Sequence, residues 1–416
     1  MTGTDVRTAG TECGRRAGEV PVRWVWLAAW PVTAVFVLSN AATPLYVLWQ
    51  REMGFTKGTL TVVFACYIAG LLGSLLVSGV VSDRLGRKPV LLPALGLALV
   101  SCLVFATAGG VVALIVARLC TGIAVGAVVS AGMAAVTDVA GPGRRRLAAL
   151  LASCAMVFGA GLGPLLAGVL SETLPAPTVT VFAVEAGLLA TAVAVVLRMP
   201  LRRLTPTAAG GGAWARVPGV PRGAGWQLAL GIAVFAPGIT ATSFVLSLGP
   251  SLLSGLLGTG SRVVSGALAF AMFLSATGVQ FAVRRLRRRT VLVTGAATTA
   301  LGMLALVTAV HTGSVPALAA AAPLAGAGQG MGQLGGLSLL NSTVPGARLA
   351  EANAALNVGG YLPAGLLPVS AGYLSDAVGL TTGTTAFGTA LAALAIAGGG
   401  LALVAGRGRI PQDTAR

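Results

Sequence analysis

The chain has 416 residues, of which 56% are hydrophobic and only 9% are charged, and its formal net charge is +17. A soluble protein carries about 25% charged residues, so this composition cannot cover a water-facing surface and indicates an integral membrane protein. Ala, Leu and Gly dominate apolar runs far longer than the roughly 10 residues of a barrel strand. Helices are therefore expected, because a lipid-exposed span must satisfy its own backbone polar groups.

Several classes of function lack their residues in this chain. The basic residues form short clusters between apolar runs, so the net charge does not indicate a nucleic-acid partner. The five cysteines are scattered singly and His311 is the only histidine, which predicts no metal site. Clustered Asp, His or Cys for lipid chemistry are absent, and so is the G-x-x-x-x-G-K-[ST] motif of ATP-driven pumps. We expect neither an enzyme nor a cofactor.

The apolar runs predict twelve transmembrane helices, each close to the roughly 20 residues that cross a bilayer. The predicted spans are 24–49, 59–82, 89–108, 111–138, 147–170, 178–198, 226–249, 263–283, 290–310, 315–341, 352–375 and 382–405. The predicted organisation is a cytosolic tail (1–22), a six-helix bundle (23–198), a cytosolic linker rich in Pro, Gly and Arg (199–225), a second six-helix bundle (226–405) and a cytosolic C-terminal tail (406–416).

The distribution of basic residues gives the orientation. With the N-terminus inside, only Arg51, Lys57 and Arg262 of the 28 Lys and Arg residues fall in outer loops, and Arg118 lies within a span. A miscounted span would invert every later loop and destroy this asymmetry. The sequence predicts a multi-pass protein of the plasma membrane with both termini cytoplasmic.

The two halves of the chain carry a related segment. Leu165–Glu172 reads LLAGVLSE, and Val369–Asp376, about 204 positions later, reads VSAGYLSD. A proline precedes each copy, at Pro164 and Pro368. Because an even number of spans separates the copies, the pattern predicts two six-helix bundles of the same orientation.

A turn rich in glycine and charge follows the second span. Its glycines let the chain bend and its cations lie at the membrane surface. The segment resembles the G-x-x-x-D-R-x-G-R-K loop of the major facilitator superfamily of transporters, which lies between the second and third helices. The matching residues are Gly79, Asp83, Arg84, Gly86, Arg87 and Lys88.

Two further elements carry the same resemblance. Arg118 and Gly122 in the fourth span match the superfamily's R-x-x-x-G element. The fifth span resembles the G-x-x-x-G-P-x-x-x-G element of drug–proton antiporters, although Ala167 stands where many members have a second glycine. The matching residues are Gly159, Gly163, Pro164 and Gly168. The chain is thus similar to the twelve-helix drug:proton antiporter branch, whose all-α fold has two pseudo-symmetric six-helix bundles.

The resemblance implies a gating role for the turn. Asp83 is expected to face the N-terminus of the eleventh helix near Glu351, where exposed amides carry partial positive charge, and so to lock the inner gate. Arg87 is expected to pair with Asp138 at the inner end of the fourth span. The alternative is a turn that only sets the topology.

Buried charges indicate where a proton could be carried. Arg118 lies well inside the fourth span, and an arginine at that depth pairs or points into a cavity. Glu185 in the sixth span sits at a similar depth, which suggests an Arg118–Glu185 pair that opens when Glu185 takes a proton. The alternatives are a static buried pair or a Glu185 on the scaffold side. The proton-coupling candidates are therefore Arg118, Glu185 and Asp83.

Substrate is expected near the middle of the membrane between the two halves. Candidate contacts are Asn40, Tyr67, Met133, Gln329, Gln333, Asn357 and Tyr361. The leading hypothesis is a monomeric secondary transporter that exports small amphipathic compounds, such as drugs, antibiotics or secondary metabolites, by alternating access. Protons and the bilayer are its other partners, and the proton gradient supplies the energy. The alternatives are a transporter of sugars or other small metabolites, for export or uptake, and a non-transporting membrane sensor.

Overall fold

The computed structural model describes residues 20–201, 218–255, 258, 260–345 and 348–405, and in these residues the chain forms twelve long helices and no strand. The predicted tails and linker lie mostly outside this range. Helix α1 (Val22–Met53) is broken into Val22–Ala41 and Tyr46–Met53 by a 3-10 turn at Thr43–Leu45. The others are α2 (Lys57–Leu85), α3 (Lys88–Ala106), α4 (Val111–Ala140), α5 (Arg145–Thr173), α6 (Pro177–Arg198), α7 (Gly225–Gly255), α8 (Arg262–Val283), α9 (Arg288–Thr312), α10 (Val315–Thr343), α11 (Leu349–Val378) and α12 (Leu380–Ala405).

The predicted all-α architecture is confirmed, although the helices differ in apolarity. Ten of the twelve are long and apolar enough to span a membrane. The other two, α10 and α11, are long enough at 29 and 30 residues but are less apolar, because they carry glycine and amide side chains. A helix whose polar side chains face other helices can remain in the membrane at this lower apolarity.

Local sequence explains where helices begin and end. Thr56 and Ser261 cap α2 and α8, and their side chains accept hydrogen bonds from the backbone N–H groups of Thr59 and Val264 at 3.2 Å each. Such caps satisfy N–H groups that have no partner within the helix. Gly86 ends α2 with a φ of +97°, which glycine adopts at little cost. The chain can therefore turn sharply from α2 into α3.

Glycines let helices approach at equivalent places in the two halves. Gly122 and Gly126 of α4 lie against the backbone of α2, and Gly326 and Gly330 of α10, 204 positions later, lie against the backbone of α8. A side chain at any of these positions would overlap the neighbouring backbone. Small residues of this kind allow helices to pack closely in a membrane. The first half (α1–α6) and the second half (α7–α12) thus use the same packing.

A second contact recurs at one end of the bundle. The Lys88 ammonium donates a hydrogen bond to the Leu197 carbonyl at 2.9 Å, and the Arg289 guanidinium donates one to the Leu403 carbonyl at 2.7 Å. Each cation thereby binds the C-terminal turn of a helix, where carbonyls lack partners and the helix dipole is negative. We call this end, which carries the 86–87 turn, the basic end.

The halves meet mainly where α2 packs on α11 and where α5 packs on α8. Both pairs touch in the half of the bundle away from the basic end. Gly58 lies against the Tyr373 ring, and Gly168 lies against the backbone at Arg262 and Val263. The halves are therefore joined at this end, which we call the opposite end.

Candidate functional site

A cavity of about 360 Å³ separates α2 and α4 of the first half from α11 of the second half. Its wall combines Leu and Ala with five polar or charged side chains, and it reaches the basic end, where the Asp83 side chain is 52% exposed. The lining residues of each helix recur every three or four positions, as expected for one helical face. They include Leu72, Leu75, Gly79 and Asp83 of α2, Ser130 of α4, and Ala350, Asn353 and Asn357 of α11.

Charged residues at the cavity mouth form a connected group. Arg87 donates hydrogen bonds to Asp83 at 2.7 Å, to Asp138 at 2.9 Å and to the Ser82 hydroxyl at 3.0 Å. Burial alone would lower the pKa of Arg87, but its hydrogen bonds to Asp83 and Asp138 outweigh burial and raise it. The structure thus brings Arg87 and Asp138 together, and it joins the start of α3 to the ends of α2 and α4.

The other residues of the turn frame this group. Gly79 lines the cavity one helical turn before Asp83, and Gly86 gives the turn its shape. Asp83 lines the same cavity as Ala350 and Asn353 of α11. The lock between Asp83 and the first turn of α11 near Glu351 stays a prediction.

Two acids of the repeated segment hold the opposite end. Both carboxylate oxygens of Asp376 accept hydrogen bonds from the backbone N–H groups of Lys57 and Gly58, at 3.0 and 2.7 Å. Glu172 accepts from the N–H groups of Arg262 and, at 3.2 Å, Val263. Each acid therefore caps the N-terminus of a helix that belongs to the other half.

The glycine-proline element of α5 lies where α5 contacts both halves. Side chains at Gly159 and Gly163 would overlap the backbone of α1, and one at Gly168 would overlap the backbone of α8. The Pro164 carbonyl packs on Gly266 of α8. This element thus fits α5 between a helix of its own half and a helix of the other.

Arg118 is fully buried, and no acid among the described residues forms an ion pair with it. Its Nη1 donates to the Ser39 carbonyl at 2.7 Å, while Nε and Nη2 have no hydrogen-bond partner. Ser39 lies in the last turn before α1 breaks, where helix carbonyls lack partners within the helix. Aromatic rings surround the guanidinium, with centroids 5.1–5.9 Å from its Cζ atom. They belong to Tyr46, Phe64, Tyr67 and Phe105.

The predicted Arg118–Glu185 pair is wrong for this structure. Glu185 is 2% exposed, and its Oε2 atom has no partner. Helix α6 packs on α3 and α1, and Glu185 lies near the Cys102 thiol of α3. Glu185 therefore has a neighbour on α3 and makes no ion pair with Arg118, and its role in proton coupling stays a prediction.

The predicted substrate contacts separate into groups. Asn357 lines the cavity. Tyr67 and Tyr361 approach each other between the halves, and Tyr361 packs edge-on against a phenylalanine of α7. Asn40 is buried against Ser39. The remaining candidates, Met133, Gln329 and Gln333, are half-buried on α4 and α10.

Sequence reasoning missed Ser130 and Asn353, which line the cavity, and three of the aromatic residues around Arg118. These three are Tyr46, Phe64 and Phe105. The spacing of Asn353 and Asn357 was a usable signal, because residues four apart share a helical face. Among the described residues, no group of three or more His, Cys, Asp or Glu could hold a metal ion.

Several solved transporter structures have a similar fold. The chain superposes on a nucleoside transporter with a TM-score of 0.71 at 12% identity, covering 91% of this chain and 99% of that one. It superposes on a D-xylose-proton symporter with a TM-score of 0.69 at 16% identity, covering 94% and 99%. A bacterial homologue of the human lysosomal transporter Spinster, in an inward-facing and occupied conformation, gives 0.73 at 13% identity, covering 94% and 98%.

Curated relatives match over a shorter stretch. The 3-(3-hydroxy-phenyl)propionate transporter of Escherichia coli (strain K12) is 32% identical over 129 residues, which are 31% of this chain and 30% of that protein. The major facilitator-type transporter psiT2 of Psilocybe cyanescens is 36% identical over 125 residues, 29% of this chain and 22% of that protein. The matched region thus spans less than a third of either relative. The sequence model of the Major Facilitator Superfamily matches residues 25–286, and the chain belongs to this family of membrane transporters.

Proposed function

We propose that this transporter exports small amphipathic compounds in exchange for protons, by alternating access between its two halves. The cavity between α2, α4 and α11 supports this proposal most strongly. At about 360 Å³ it lies within the range of small-molecule sites. Its Leu and Ala side chains are joined by two amides and a hydroxyl, and the two charged residues that line it, Asp83 and Arg87, pair with each other. Such a wall suits a neutral or weakly charged molecule with an apolar body.

The orientation follows from charge. The basic end would face the cytoplasm of a plasma-membrane protein with both termini inside, because cytoplasmic loops collect Lys and Arg. The cavity then faces the cytoplasm while the opposite end is closed, which is an inward-facing state ready to accept cargo. Asp83 at the cavity mouth and buried Glu185 are the acids through which a proton could act. The proton gradient supplies the energy, and the monomer needs no cofactor and performs no enzymatic step.

Reconstituted protein tests the proposal. Proteoliposomes with an acidic interior should accumulate radiolabelled chloramphenicol, a neutral amphipathic probe, because outward proton flow drives the probe inward. A proton ionophore should abolish the accumulation, and protein-free liposomes serve as the control. Accumulation that resists the ionophore would reject proton exchange. A failure of this probe and of a panel of similar neutral compounds would reject the substrate class.

A second candidate is the transport of a small aromatic acid. The buried Arg118, with two unpartnered nitrogens and four aromatic neighbours, supports it, because a guanidinium binds carboxylates in pairs of hydrogen bonds and packs on rings. One relative is named a 3-(3-hydroxy-phenyl)propionate transporter, and that compound is an aromatic acid. Uptake of this acid into proteoliposomes should exceed uptake of its neutral amide, and Arg118→Gln should remove the difference. Equal uptake of acid and amide would reject this candidate.

A further inference from the structure

The repeated segment of the chain has a second use that its sequence does not reveal. Glu172 ends α5 and caps the start of α8, and Asp376 ends α11 and caps the start of α2. The acids lie 204 positions apart, and the helices that they cap are equivalent between the halves. Both contacts cross from one half to the other at the opposite end.

We infer that Glu172 and Asp376 form a pair of charge-dependent latches that hold the opposite end closed. Each latch sets an ionised carboxylate on the unpartnered N–H groups and the positive dipole end of a helix in the other half. The backbone N–H groups donate the hydrogen bonds of both latches, and at Glu172 the Ser261 hydroxyl and the Arg262 charge add to the attraction.

Glycines complete each latch. Gly372 lies one helical turn before Asp376, and a Cβ added there would be 2.9 Å from the Lys57 carbonyl oxygen. Gly58 faces the Tyr373 ring. Gly168, one turn before Glu172, lies in the same way against the Arg262 carbonyl. The helix ends can therefore come close enough for the acids to reach the backbone.

The latches act as a set because α2 and α8 are long continuous helices. Separation of α2 from α11, or of α5 from α8, breaks one latch, and opening this end breaks both. Loss of either charge should thus favour the state in which the opposite end is open. This inference needs neither a known substrate nor proton exchange, so it can be tested apart from the proposed function.

The test measures how often the opposite end opens. Thr61 is 1% exposed beneath the Asp376 latch and touches Gly372. In full-length protein whose five native cysteines are replaced by serine, Thr61→Cys is labelled with a membrane-impermeant maleimide added at the opposite end. When the open state is minor, the labelling rate is proportional to its population.

Glu172→Gln and Asp376→Asn should each raise the labelling rate by about 2- to 30-fold, the range expected from the loss of one charge at a helix N-terminus. Glu172→Asp keeps the charge and should label more slowly than Glu172→Gln. Glu52→Gln removes an exposed acid at the same end that makes no latch, and should leave the rate unchanged. The inference would be overturned if both amide variants labelled at the same rate as Glu52→Gln. It would also be overturned if Glu172→Asp and Glu172→Gln labelled at equal rates.

A cross-link gives a second measurement that leaves both acids intact. A Cβ at Gly58 lies 2.8 Å from Tyr373 Cγ, so cysteines at 58 and 373 would have Cβ atoms within about 4.3 Å, which suits a disulfide. Gly58→Cys with Tyr373→Cys should oxidise readily in membranes, and reduction should reverse the link. A pair that fails to cross-link would show that this end is not held closed, and would overturn the inference even if an amide variant did not fold.

Discussion

Gly163→Ala should destabilise the protein more than any ordinary glycine-to-alanine change in a helix. A Cβ at this position would overlap the Val37 carbonyl oxygen and lie 2.8 Å from its carbon, whereas ordinary contact begins near 3.4 Å. The obstacle is backbone, which cannot rotate away as a side chain can. Helices α1 and α5 must therefore separate by at least about 0.6 Å along this contact.

The energetic cost follows from this separation. A gap of 0.5–1 Å removes about a quarter to a half of the attraction between the atoms it parts, and α5 packs on α1 along several turns. Overpacking of a well-filled contact usually costs about 1–3 kcal/mol, and we expect a value in this range. Transport should fall as well, because α5 also contacts α8 through Pro164 and Gly168.

Thermal unfolding of the purified protein in detergent measures the effect. The matched control is Gly187→Ala on α6, where an added Cβ would meet nothing within 4 Å. That change should leave the melting temperature unchanged or raise it slightly, because alanine favours helix by up to about 1 kcal/mol over glycine. Equal melting temperatures for the two variants would refute the assignment of Gly163 to a close helix contact.

Three further predictions concern function. Asp83→Asn should remove most transport in the proteoliposome assay but change unfolding by less than about 1 kcal/mol, because half-exposed ion pairs contribute little; wild-type transport would contradict its gating role. Glu185→Gln should uncouple transport from the proton gradient, and a normal response to an ionophore would make Glu185 structural. Asn353→Ala and Asn357→Ala should each raise the KM for substrate while membrane insertion stays normal; an unchanged KM would place the substrate elsewhere.

The sequence was sufficient for the architecture because the membrane imposes a length and an apolarity on every span. The resemblance of the turn to the superfamily's loop also implied that Arg87 pairs with Asp138, and this contact is present at 2.9 Å. The pairing came from the motif and not from the spacing of charges along the spans.

The Arg118–Glu185 hypothesis shows what depth alone misses. Position along a span gives the height of a side chain in the membrane, but its direction depends on which helices are neighbours. Helix α6 packs on α3 and α1, so Glu185 faces Cys102 at the height at which Arg118 faces aromatic rings. The partners of Glu172 and Asp376 were hidden for another reason. They are backbone N–H groups, which leave no mark in a sequence.

Helix α2 connects the two ends of the molecule. Its N-terminus is held by Asp376, and its C-terminal turn carries Asp83 at the cavity mouth. Its 29 residues span about 43 Å as one helix, so motion at one end must move the other. The second half has Ala282 near the corresponding end of α8. We therefore expect the gate predicted at Asp83 and the latch proposed at Asp376 to act on the same helix, one at each end.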